Sequence, residues 1–196
     1  MTQNTQDPQH FSDIGRIVLL FSLVWVGLVG YFSISGILET LNVYIVPIVI
    51  VVMTIMLVAS YFVLPSFHAW VNNHGLFRFT AFHIWRVGAA GIFFWYDAQD
   101  LLPDSFVDNA AWGSLVVGLF ATATVMVPMS VKHYRFFHIV GLLDLIIVIA
   151  TGVALTIMGE LSMASLLTFP VALIPLFGVP VSLATHTIAF HMMRKG

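Results

Sequence analysis

The sequence predicts an all-α fold: a single bundle of six membrane-spanning helices, both termini cytoplasmic, with a proline-broken sixth helix. Three observations predict it. Of the 196 residues, 60% are hydrophobic and only 8% charged, with a mean hydropathy of +1.00; soluble domains carry roughly 25% charged residues, and a soluble chain this poor in charge could not cover its surface. Six stretches are apolar over the ~20 residues a membrane helix needs. The segments joining them alternate in charge.

The N-terminal residues 1–13 are polar, with no basic segment leading into a short apolar core, and read as a tail rather than a signal peptide. One domain follows, over residues 14–193. The spans fall at Ile14–Ser35, Asn42–Leu64, Phe79–Ala98, Ala110–Ser130, Phe136–Met158 and Ser165–His191. Between the second and third, residues 65–78 are too short and polar to cross, and are expected to lie along the cytoplasmic interface with Phe67 and Trp70 at headgroup level. Arg16, Arg78, Lys132, Arg135, Arg194 and Lys195 fall on one side; Glu39, Asp97, Asp100, Asp104, Asp108 and Glu160 fall on the other. Lys and Arg collect on the cytoplasmic face, which orients the chain, and the expected location is a bacterial inner membrane.

Several functions are excluded at this level. A net charge of -2 argues against a nucleic-acid partner. With no cysteine, disulfides and thiolate-held iron–sulfur clusters are out. No glycine-rich phosphate loop, zinc-protease helix or serine elbow is present.

What remains is a set of polar residues inside apolar spans. Arg86 in the third span and Asp144 in the fifth lie roughly 10 Å and 12 Å from the cytoplasmic ends at the usual helical rise. A charge in hydrocarbon is costly unless paired or facing a polar cavity, so intramembrane charges mark functional sites. His83, His138 and His186 occupy the same leaflet on the third, fifth and sixth spans. His83 and Arg86 share a helical stripe; so do Gly141 and Asp144, Ser114 and Gly118, and Ser182 and His186. Small and hydroxyl residues mark helix contacts in membranes or line polar cavities.

Plainer readings stand beside these. Arg86 and Asp144 can be an ion pair that only fixes helix register. The pair Phe-His occurs four times, ending at His68, His83, His138 and His191, and amphipathic rings favour the interface. In the sixth span, Pro175 and Pro180 each remove a helical hydrogen bond, freeing the carbonyls of Val171 and Leu176. Broken helices build substrate and ion sites in transporters, but a proline can equally be a simple kink.

The pieces Arg86, Leu102–Pro103, Ala111–Trp112–Gly113, Gly141–Leu142–Leu143–Asp144–Leu145, Ile174–Pro175, Val179–Pro180 and His186 resemble the pattern of a family of small six-span bacterial membrane proteins without an assigned activity. The resemblance runs from about Phe79 to His191 and implies a fold. Two positions depart from it: His83 stands where the pattern has Gln, and Ser114 where it has Asp.

The leading expectation is a polar cavity in the inner leaflet that binds a small solute or ion, as in a proton-coupled transporter, built by Arg86, Asp144, His186, His83, Ser182, Pro175 and Pro180. One alternative is a b-type haem held between two of His83, His138 and His186. Another is a structural subunit, either as a homo-oligomer or within a larger membrane complex. The bilayer is the one partner common to all three.

Overall fold

In the computed structural model, residues 8–127 and 129–195 are described, and among them every regular element is helical. The α-helices are α1 (Pro8–Ile34), α2 (Ile45–Val63), α3 (Pro65–Phe82), α4 (Trp85–Asp97), α5 (Asp104–Met126), α6 (Val131–Ile157) and α7 (Val179–Lys195). Short 3₁₀ turns lie at Leu38–Thr40 and Leu161–Leu167, and a π turn at Ile174–Gly178.

Five helical stretches are long and apolar enough to cross a membrane: Ser12–Ile34, Ile45–Val63, Asp104–Met126, Val131–Ile157 and Ile174–Arg194. Their outward faces are apolar. Leu20 on α1, Ile55 on α2 and Leu143 on α6 are exposed, as lipid-facing side chains should be and aqueous ones should not. The protein is membrane-embedded.

The expected third span, Phe79–Ala98, is divided. α3 begins with Pro65 in its first turn, where a missing N–H costs nothing. It kinks at Gly75, whose φ of +69° lies in the left-handed region that glycine tolerates best. Thus the stretch expected at the interface is itself helical. Between α3 and α4 the bonding tightens to i→i+3: the N–H groups of His83, Ile84, Arg86 and Val87 donate to the carbonyls of Thr80, Ala81, His83 and Ile84 at 3.0–3.1 Å. In such a turn the side chains at i and i+3 eclipse, so His83 and Arg86 project on one line.

Residues 8–13 of the expected polar tail are helical, forming the first turns of α1, and residues 1–7 lie outside the described residues. The last span starts at Ile174 rather than Ser165, because Leu161–Leu167 is a 3₁₀ turn and the π turn that leads into α7 opens only at Ile174.

Packing is closest where side chains are smallest. α5 buries Ala110, Ala111, Ser114, Val117, Gly118 and Ala121, spaced so that one small-residue stripe faces inward. A methyl at Gly118 would meet the Val87 backbone nitrogen at 2.8 Å, so α4 and α5 are in near-backbone contact there. At the end of α4 opposite His83, the Tyr96 hydroxyl donates to the Phe169 carbonyl at 2.9 Å and lies 2.9 Å from the Thr168 hydroxyl. That ties α4 to the segment leading into α7. α1 stands further off, leaving a cleft of about 800 Å³ walled by α1, α2, α3 and α7.

Candidate functional site: a buried ion pair beside three histidines

Arg86 sits at the start of α4, only 2% exposed, and forms an ion pair with Asp144 of α6 through Nη2 and Oδ2. The same nitrogen donates to the Ser114 hydroxyl on α5 at 3.3 Å. Three helices thus meet at one guanidinium. Asp144 reaches the pair across Gly113 of α5, where any side chain would occupy the space of its carboxylate. The pairing makes the charges tolerable in hydrocarbon. It leaves Arg86 Nη1 buried without a partner among the described residues.

One turn toward the chain's basic side lie His83, His138 and His186, all with no exposed surface. They come from the α3–α4 turn, α6 and α7. One ring nitrogen of each lies within 4.8 Å of those of the other two. His138 Nδ1 and His186 Nδ1 are 2.8 Å apart, so one of them carries the shared hydrogen. The rings of His83 and His186 stack, with centroids 4.1 Å apart and planes 21° from parallel. Two threonines hold the outer edges: Thr80 Oγ1 lies 3.3 Å from His138 Nε2, and Thr185 Oγ1 lies 3.2 Å from His83 Nε2. His186 approaches α6 this closely because position 141 is glycine; a methyl there would stand 2.5 Å from the His186 ring. Two ring nitrogens, His83 Nδ1 and His186 Nε2, are buried with no partner among the described residues.

The expected site residues divide accordingly. Arg86, Asp144, His83, His138 and His186 come together. Ser182, fully buried, lies one turn before His186, and its hydroxyl is unpartnered among the described residues. Pro180 is buried in the first turn of α7. Pro175 is elsewhere: it lines a small apolar cavity of about 50 Å³ with Val46, Phe93, Phe106 and Ile149. The carbonyl of Val171, expected to be free, accepts the Ile174 N–H at 2.9 Å. The π turn absorbs the proline instead: the Val179 N–H bonds back to the Ile174 carbonyl.

Other histidines expected at the interface have local roles. His133 forms a capping box with Ser130 at the start of α6. His68 stacks on the fully buried Tyr61, centroids 4.4 Å apart, and the Tyr61 hydroxyl lies 3.0 Å from His191 Nδ1. Sequence reasoning passed over Thr80 and Thr185, and it met Gly113 only as part of the family resemblance, without a role. The threonines lie three residues before His83 and one before His186, and a polar neighbour on a histidine-bearing turn is the signal that could have found them.

The arrangement does not fit a bis-imidazole haem. That cofactor needs two nitrogens facing one another across a wide macrocycle, whereas His83 and His186 stack ring against ring. Thr185, which holds His83, also forms part of the wall of the large cleft beside α1.

A family model described as a domain of unknown function matches residues 43–194. No curated protein and no solved structure matches the chain.

Proposed function

This chain belongs to the DUF8737 family, and from that footing we propose that it is a six-span inner-membrane protein that binds a small ion at its buried polar centre and moves it in exchange with protons. The observation that carries the reading is the convergence of Arg86, Asp144 and three fully buried histidines from four elements, with unsatisfied nitrogens left over. Structural ion pairs are normally completed by their surroundings. Here the remaining donors and acceptors, Arg86 Nη1, His83 Nδ1, His186 Nε2 and the Ser182 hydroxyl, point to a ligand that completes them.

Asp144 is the proton-exchanging group in this reading. While ionised it holds Arg86; once protonated it releases the guanidinium, whose charge then opposes a bound cation. Binding and proton uptake exclude each other, which is the minimum an exchanger requires. The six-span count takes the end of α3 with α4 as the third crossing. The cytoplasmic placement of both termini rests on the Lys and Arg residues collecting on one side.

Proteoliposomes holding a pH-sensitive dye test the reading. Inorganic cations are applied one at a time. At least one should drive a proton signal in the wild type that falls tenfold or more in D144N and R86Q. Silence toward every solute, or a signal that survives both substitutions, overturns it.

A further inference from the structure

We propose that His83, His138 and His186 form an intramembrane metal centre that holds one first-row transition-metal ion of the zinc or copper class. The inference rests on the preceding reading that the polar centre binds an ion, and names the chemistry of that ion.

Geometry is the first support. Three imidazoles from three separate elements place a nitrogen each within 4.8 Å of the others, and none is exposed. Each ligand nitrogen of a zinc or copper ion lies ~2.0–2.1 Å from the metal, so the rings would rotate to bring the three nitrogens onto it. Chance burial of three histidines at one point is uneconomical, because each brings two polar ring nitrogens out of water.

The outer partners are the second support. Metal-binding histidines commonly donate their other ring N–H to an oxygen, which fixes the tautomer and aims the free nitrogen. Thr185 stands at His83 Nε2 and Thr80 at His138 Nε2. With both Nε2 atoms so engaged, Nδ1 of each ring is the nitrogen left to bind. Nδ1 of His83 is indeed without a partner among the described residues, whereas Nδ1 of His138 shares a hydrogen with His186 Nδ1 that a bound metal would displace. His186 Nε2 is the other orphaned nitrogen.

Donor type selects the ion. Neutral imidazoles suit zinc, copper, iron and nickel, whereas magnesium and calcium take oxygen ligands. Among the described residues no carboxylate joins the three rings in the cluster. Asp144 is committed to Arg86 and neutralises that positive charge beside the site. Three protein ligands leave an open fourth position, the mark of sites that exchange a ligand rather than lock the metal away.

The test uses the full chain purified in mild detergent without a polyhistidine tag. It is equilibrated with Zn²⁺, and separately with Cu⁺ under reductant, then washed with a weak chelator and assayed for bound metal. One equivalent per chain is expected for at least one of the two. X-ray absorption should show imidazole nitrogens at ~2.0 Å. H83Q and H186Q should each cut retention tenfold or more. H68Q and H133Q should leave it unchanged. Thermal melting of every variant reports whether the fold survives; if H83Q does not fold, T185A, which frees His83 without removing it, should weaken retention instead. Retention below one tenth of an equivalent in the wild type overturns the proposal, as does retention that persists when all three cluster histidines are replaced by glutamine. Loss of metal with proton exchange through Asp144 intact defeats this inference alone. Metal binding with no exchange defeats only the transport reading.

Discussion

Gly113 lies directly against the carboxylate of Asp144, and the absence of a side chain there is what lets α6 present its charge to Arg86. An alanine at this position competes with Asp144 Oδ1 for the same space. G113A should therefore destabilise the protein by ~2–3 kcal/mol, within the upper range for single substitutions with a named clash. The check is a double-mutant cycle in mixed-micelle unfolding: with D144A already present, adding G113A should cost less than ~1 kcal/mol. An equal cost in both backgrounds would show that the clash is not with Asp144.

The ion pair itself separates stability from function. Removing one partner leaves a buried charge, so D144A alone should cost ~3–5 kcal/mol. Replacing both with apolar side chains of similar size, R86M/D144L, should recover most of that loss. The same double variant should show no proton signal in proteoliposomes. Retained exchange in R86M/D144L would reduce the pair to a structural device.

Glycines in the α4–α5 region should divide by what surrounds them. At Gly118 a new methyl meets the backbone of Val87, which cannot rotate away, so G118A should lower stability by ~2 kcal/mol or more. Gly88 and Gly91 have open space at the same position. G88A and G91A should be neutral or stabilise by up to ~1 kcal/mol, the usual gain of alanine over glycine inside a helix. Melting curves of the three variants side by side decide it.

Outside the membrane spans, Glu160 accepts the Ser162 hydroxyl at 2.8 Å and the Ser162 N–H at 3.3 Å, and these bonds hold its carboxyl below the usual glutamate range. A lowered folded value means the bonds contribute fully above the ordinary glutamate value and are lost as pH falls through the lowered one. S162A should move the titration upward. Carbon-13 NMR of the Glu160 side chain reads it directly, and an unmoved midpoint would contradict the assignment.

How far these features could be read from residues alone follows their physics. Arg86, Asp144 and the three histidines were legible because intramembrane polarity is expensive and helical rise converts position into depth. The apolar spans were legible for the same reason. The division of the third span was not. Gly75 is the only local breaker in α3, and the tight turn at His83 involves no proline or glycine. Nothing local demands it; contacts made across the bundle do. Pro175 and Pro180 were visible as breaks, but a missing N–H does not say which side of the helix opens or that a π turn will take up the slack. Gly113 was hidden for a different reason. Its role lies in what it leaves empty, and only the position of Asp144 on another helix makes that space meaningful.

Tyr96 deserves a mechanical reading. Its hydroxyl rivets the far end of α4 to Thr168 and Phe169, just ahead of the turn that starts the last crossing. His83 and His186 lie at the other end of the same pair of elements, where their rings stack. A rotation of α4 against α7 that kept the Tyr96 bonds would therefore register mainly as a change in the gap between those two rings.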